Sequence, residues 1–452
     1  MKIRSTLLIG VLAFSALAFF QNCSKGIESL APSTETRDLS SNSEPLTNLP
    51  SPTPQVPAVP NAMTLKNEWL SMTTSGAPSA RFGQTAVWAG AEMIVWGGVD
   101  SFGNTGGGSN AAHTTSTGAI YNPTTNTWRA MAAISDVNPP SWGSSAIWTG
   151  QYLVTIGGWH ISAGMTNTAG GLEVGYRYDF ANDKWLSVSK TNAPAGYTSD
   201  PCAAWSGDRV FISGGYYARS QTRNGFNSYN PTTDQWAGGS LINAPTNLGA
   251  EKMACAWTGT HFLIIGGAAM NHVVADRYVG TPTTVYNTGG MYDPTLDTWK
   301  RISVTGFTGR YGHTAIWTGT KLIVFGGSSG NALLNSGAIY DPQTDSWSSI
   351  SMVGAPTPRM DHKAHWTGSK MIVFGGWNGT TALNTGAVYD PQTDTWASLP
   401  VANSPDARTK FSSVWTGTQM IIFGGNPVQN VTAGEFQQLN NGNFLRSGGL
   451  FQ

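Results

Sequence analysis

Four-residue runs of unbroken apolar side chains recur from Glu68 to the end of the chain, each in the same frame. Leu322, Ile323, Val324 and Phe325 follow a Trp317-Thr318-Gly319 turn and end in Gly326-Gly327. The frame returns behind Trp88, Trp148, Trp205, Trp257, Trp317, Trp366 and Trp415, at intervals of 49 to 60 residues. A continuous apolar run bounded by turn signals predicts a strand buried on both faces. A second motif follows each run. Gly337 to Tyr340 leads through Asp341-Pro342 to Trp347, and the tryptophan of this motif recurs at Trp69, Trp128, Trp185, Trp236, Trp299 and Trp396. Asp-Pro and Asn-Pro start turns, so a third strand carrying the Tyr and a fourth carrying the Trp are predicted. The repeat accounts for fourteen of the 18 tryptophans, all but Trp96, Trp142, Trp159 and Trp377.

A period near 50 with four short strands and a Gly-Gly, Tyr, Trp signature resembles the kelch repeat of β-propellers. The resemblance covers residues 66–452 and departs locally, as where Phe180 replaces the turn proline of the second repeat. It implies an all-β fold, a seven-bladed propeller of four-stranded blades. The two ends of the chain complement each other. Ser447 to Phe451 matches Ser336 to Tyr340 but no fourth strand follows, whereas Asn67 to Met72 matches a fourth strand with no first three before it. The N-terminal strand is therefore expected to complete the last blade and remove the open edges of the ring.

Charge narrows the function classes. Lys and Arg total 25 against 25 Asp and Glu, and only 11% of residues are charged, less than half the usual share. That excludes the basic stripe of a nucleic-acid binder and a charge-driven membrane-surface protein. Residues 1–22 read as a lipoprotein-type signal peptide: Lys2 and Arg4 precede an apolar stretch from Thr6 to Phe20, which ends at Cys23. That stretch is short for a membrane span. The Cys resembles the lipidated residue of a bacterial lipobox, although Phe20 and Asn22 depart from the usual small-aliphatic pattern. Ser24 after the Cys implies outer-membrane rather than inner-membrane sorting. Residues 23–62, rich in Ser, Thr, Pro and Asn, cannot bury enough apolar surface to offset ordering and read as a disordered tether. The propeller spans 63–452. The expectation is an exported monomer, held to the membrane by the lipid alone.

Strands that alternate in direction put the Trp-Thr-Gly and Asp-Pro turns on one face. The opposite face carries connections that differ between repeats: Val99 to Thr117, Trp159 to Val174, Tyr216 to Asn224, Ala268 to Thr288 and Asn426 to Arg446. Varied loops on a rigid scaffold point to a binding face. Arg81, Arg310, Arg359 and Arg408 stand seven residues before the inner-strand Trp, at the channel rim. Two readings apply: they grip a carboxylate or sugar acid, or they bond the next blade's carbonyls. His313 and His362 occupy equivalent positions and read as packing groups, with metal or acid–base roles as the rival. His362 and His365 are three apart on a strand and face opposite sides, so no metal or cofactor is expected. The Asp-Pro turns lack calcium-loop spacing and read as Asx-turns. Trp159, His160, Tyr216, Tyr217 and Trp377 lie on the variable face and suit stacking on sugar rings or packing on the rim. Cys202 and Cys255 have opposite parity relative to their Trp, an awkward geometry for a disulfide. No nucleophile, phosphate-loop or paired-carboxylate motif appears. The leading reading is a binding propeller whose variable face holds an envelope or extracellular protein or glycan. The alternative is a carbohydrate-active envelope enzyme, because the resemblance extends to kelch-type sialic-acid mutarotases. It also extends to the propeller of galactose oxidases, whose copper ligand comes from a further domain that this sequence does not show.

Overall fold

The computed structural model describes residues 65–104, 110–134, 142–158, 175–194, 198–217, 225–272, 280–427 and 444–452. The signal peptide, Cys23 and the whole of the tether lie outside them. The described residues form seven antiparallel four-stranded sheets and three two-stranded ones, two of them hairpins, with no helix among them. In the fifth blade the strands are Thr314–Trp317, Leu322–Phe325, Gly337–Asp341 and Ser346–Ser349. The register aligns Trp317, Leu322, Tyr340 and Trp347 in one row across the sheet. The second strand is buried at all four positions, as the unbroken apolar run requires.

Each inner strand touches those of the two neighbouring blades, and the contacts run in order round all seven and return to the first. The core accordingly lies between blades. Seven hydrophobic clusters each combine residues of two adjacent blades, as where Leu263 and Met291 of the fourth pack with Leu322 and Tyr340 of the fifth. Closure follows the sequence expectation: Trp69–Ser71 pairs with Gly448–Phe451, Trp69 opposite Phe451.

The repeated Asp and Trp have a shared purpose. Trp347 Nε1 donates to the carbonyl of Ser303 at 2.8 Å, and the amide of that same Ser303 donates to Asp345 Oδ1 at 2.9 Å. Tyr340 Oη donates to the same Asp oxygen at 2.7 Å. One residue of the preceding linker is thus held by both its backbone groups. The latch recurs with Trp396 and Asp394 on Ser351, Trp299 and Asp297 on Ser240, and Trp236 and Asp234 on Ser189. At the closing blade Trp69 Nε1 donates to the carbonyl of Pro400 at 3.0 Å. Proline has no amide hydrogen to satisfy, so this junction needs no turn Asp. The first Asp or Asn of the turn forms an Asx-turn in five blades, Asp341 Oδ1 accepting from the Gln343 amide at 2.9 Å.

One expectation is overturned. Cys202 and Cys255 form a disulfide with Cα atoms 5.9 Å apart. The alternation rule applies inside one sheet, but these residues lie on inner strands of different sheets. Across a blade junction the odd-numbered side of one strand, counted back from its Trp, faces the even-numbered side of the next. Thr314 and His362, and His365 and Ser413, meet by the same rule. Opposite parity is therefore what brings the two sulfurs together.

Candidate functional site: the channel mouth and the variable face

All four arginines are buried, 0% to 2% exposed, and their guanidinium groups face carbonyls of the blade they introduce. Arg359 Nε donates to Thr357 O at 3.0 Å; Nη1 donates to Gly375 O at 3.0 Å and Thr385 O at 2.7 Å; Nη2 donates to the hydroxyls of Thr357 and Thr385. Arg81, Arg310 and Arg408 make the corresponding bonds to Gly97 and Thr117, Gly326 and Ser336, and Gly424 and Ser447. Burial pushes all four down to about 10, which leaves them charged at neutral pH. This arrangement matches the carbonyl-bonding reading and leaves little of the guanidinium for a ligand. In the fourth blade Ala250 holds the corresponding backbone position, and Asn247 Nδ2 spans Gly266 O and Thr288 O instead.

His313 and His362 do not meet. Each points back against the Gly-Gly corner of the preceding blade, His313 against Gly266 and His362 against Gly326. His362 Nε2 contacts Thr314 Oγ1 at 2.9 Å. Burial pushes both down to about 3 and His365 down to about 4. The imidazoles are therefore neutral in the fold, while the unfolded chain protonates near ~6.5. Between those values the unfolded state binds more protons, so stability falls as pH drops from 6.5 toward 3. Gln84 and Phe411 occupy the equivalent position in other blades. A His313→Gln/His362→Gln variant should flatten the acid side of the melting-temperature profile, measured by circular dichroism. An unchanged slope there contradicts the assignment.

A feature that the repeat alignment did not single out lies five residues before each inner-strand Trp. Gly83, Gly143, Asp200, Lys252, Gly312, Asp361 and Lys410 all have positive φ, between 51° and 69°. Their backbones link round the axis, as in Gly83 N to Lys410 O, Gly312 N to Lys252 O and Asp361 N to Gly312 O. Three blades meet this left-handed corner with Gly, which takes it without strain. Four place a charge there, at ~1–2 kcal/mol of backbone cost per residue. Lys252 Nζ reaches past Gly312 to Asp361 Oδ2 at 3.7 Å, and Asp361 pushes the Lys252 ammonium up. Lys363 begins the inner strand of the sixth blade. Enclosure by protein pushes Lys363 and Lys410 down and Asp200 up, yet these three side chains remain open to solvent. Lys410 Nζ also lies 5.8 Å from the Phe82 ring centroid. The signal was available: aligning the seven copies five residues upstream of Trp shows only Gly, Asp and Lys.

The variable face holds more order than a set of loops. Val99–Asn104 pairs with Asn110–Thr114, and Ala268–His272 with Gly280–Val285. Trp377 is half-buried and bridged to Met360 and Ala382. Tyr216 and Tyr217 pair with Ser199 and Thr198, but their side chains, like Trp159 and His160, lie outside the described residues. At the outer rim, five residues after the outer-strand Trp, four consecutive blades carry Leu241, Val304, Met352 and Val401. With Ile242 and Val353 these side chains are 41% to 84% exposed. The other three blades carry Thr74, Ala133 and Lys190 there.

Comparison with known proteins agrees with this architecture. Residues 280–425 match a model described as the KLHDC2/KLHL20/DRC7 Kelch-repeats domain. Among curated relatives, Adagio-like protein 3 of Oryza sativa subsp. japonica is 30% identical over 288 residues, 60% of this chain and 41% of that protein. Tip elongation aberrant protein 1 of Schizosaccharomyces pombe is 32% identical over 125 residues, 27% of this chain and 10% of that protein. The chain thus spans less than half the length of either relative. A model described as the Attractin/LZTR1 beta-propeller matches residues 59–336, more than half of the chain, and with its seven four-stranded blades the chain belongs to that family of kelch propellers.

Proposed function

We propose that this chain is a binding propeller, tethered to the bacterial outer membrane through Cys23, that captures an envelope or extracellular protein through exposed side chains at its outer rim. The observation that carries this reading is the arc of exposed aliphatic side chains on four consecutive blades. The arc follows directly on the latched linker residues, Leu241 on Ser240, Val304 on Ser303 and Met352 on Ser351, and so lies at the outer rim beside the next blade's Asp. Clustered exposed apolar groups mark interaction surfaces. Aliphatic groups of this kind suit the buried centre of a protein interface better than the hydroxyl-rich surface of a glycan. The disulfide between Cys202 and Cys255 suits an oxidising compartment, in keeping with export.

The test is cross-linking and affinity capture from intact envelopes with the full-length chain. Replacing Leu241, Ile242, Met352 and Val353 by Ser should leave the melting temperature near that of the unsubstituted chain. Capture should weaken by ~1–3 kcal/mol for each hot-spot side chain lost. Cys23→Ser should move the chain from the membrane to the soluble fraction. Undiminished capture by the four-Ser variant, or capture of glycans alone, contradicts the protein-binding reading.

A further inference from the structure

At several junctions a hydroxyl three residues before the inner-strand Trp ties one blade to the next. Ser412 Oγ of the seventh blade donates to the carbonyl of Gln84 in the first at 3.1 Å. Ser145 Oγ of the second donates to the carbonyl of Pro201 in the third. Thr314 Oγ1 of the fifth meets His362 Nε2 of the sixth at 2.9 Å. Each partner stands four residues before the Trp of its own blade. The fourth blade has no such hydroxyl. Ala254 holds the position and is buried, and the facing residue of the fifth blade is His313. His313 is 7% exposed, and neither ring nitrogen has a hydrogen-bond partner among the described residues. His362 leaves only Nδ1 without one. The two rings thus differ by one satisfied nitrogen, and the two strands facing them differ by one hydroxyl. Lys363 and Cys202 also replace the hydroxyl, but they face the apolar Phe411 and Met253. Single unpartnered atoms occur at Gln84 Oε1 and Ser144 Oγ as well, at junctions where the hydroxyl is present.

We infer that the junction between the fourth and fifth blades binds one structural water in the place of the missing hydroxyl, held by a ring nitrogen of His313 and by Asn247 Oδ1. Asn247 belongs to the same corner. Its Nδ2 donates to Gly266 O at 2.8 Å, its Oδ1 is buried without a partner, and His313 rests on that same Gly266. Burying a polar atom with nothing to bond is costly. A water that reaches several such atoms removes the cost. Ala254 lacks both the hydroxyl and the γ-methyl that Thr314 has, which is the bulk of one water molecule. The ligand has to be neutral. Burial first, then Arg310 and His362, push the His313 imidazole down, so the corner repels a cation and the uncharged ring offers an anion no counter-ion. The ligand must also both donate and accept, because Asn247 Oδ1 only accepts and a neutral imidazole does one at each nitrogen. Water meets these terms at the size of a single oxygen. This site is independent of the aliphatic arc, and either can stand without the other.

A high-resolution crystal structure of the full-length chain tests the inference without any substitution. It should show a water oxygen ~2.7–3.2 Å from a ring nitrogen of His313. Two variants extend the test. Ala254→Thr copies the fifth blade and should carry its own hydroxyl to the place of the water. His313→Phe copies Phe411 of the seventh blade and should leave no polar atom to hold one. In solution, magnetic relaxation dispersion of the water oxygen counts long-lived internal waters. Each variant should show one fewer than the unsubstituted chain, and Lys321→Gln, at an exposed site, should show the same number. Absence of an oxygen within reach of either His313 nitrogen in the unsubstituted chain overturns the assignment. So does a water count that neither Ala254→Thr nor His313→Phe lowers.

Discussion

Removing residues 1–75 should unfold the ring, whereas removing residues 1–61 should leave its melting temperature unchanged. The longer truncation deletes the fourth strand of the closing blade. Trp69 is 4% exposed. It packs on Phe374 and Phe451 with ring centroids 4.8 and 5.2 Å away and supplies the hydrogen bond to Pro400. Loss of one buried Trp alone costs ~3–5 kcal/mol. Its strand also covers the edge of Gly448–Phe451, which the truncation leaves open to pairing with other chains. Scanning calorimetry with light scattering reads both effects. Equal transitions for the two truncations contradict the closure.

Arg359→Ala should be nearly as damaging, because its guanidinium is taken up by the scaffold. Its guanidinium holds two backbone carbonyls, Gly375 O and Thr385 O, at the inner corner of the sixth blade. Truncation leaves these acceptors buried beside a cavity. Removing the charged donor from such a buried network costs on the order of 3–5 kcal/mol. Arg359→Lys should recover only a part, because one ammonium cannot reproduce the planar fork that bonds both carbonyls and both hydroxyls. Denaturant unfolding reads the loss. A cost below about 1 kcal/mol for the Ala variant indicates that water takes over the corner.

Blade number, strand count and closure were legible before any coordinates because a repeat compares itself with itself. The apolar run from Leu322 to Phe325 demanded burial on both faces, and the mismatch between Asn67–Met72 and Ser447–Phe451 demanded that the ends meet. The same comparison pointed to the variable face. It stopped short at the arginines, for which two roles stayed open, since a rim position on a strand does not say where a guanidinium turns. It missed the disulfide because parity was applied within one sheet to residues in two.

What the sequence by itself determined is therefore what depends on neighbours along the chain: strand periodicity, turn chemistry, and the requirement for a closing strand. Only the tertiary structure decided what depends on neighbours round the ring. It turned the repeated Asp and Trp into a latch on one linker residue and showed why Pro400 makes that Asp unnecessary at the closure. It set His313 and His362 in separate junctions. The reason is geometric. Residues of different blades share no register along the chain, and their approach is fixed by how seven sheets pack about a common axis.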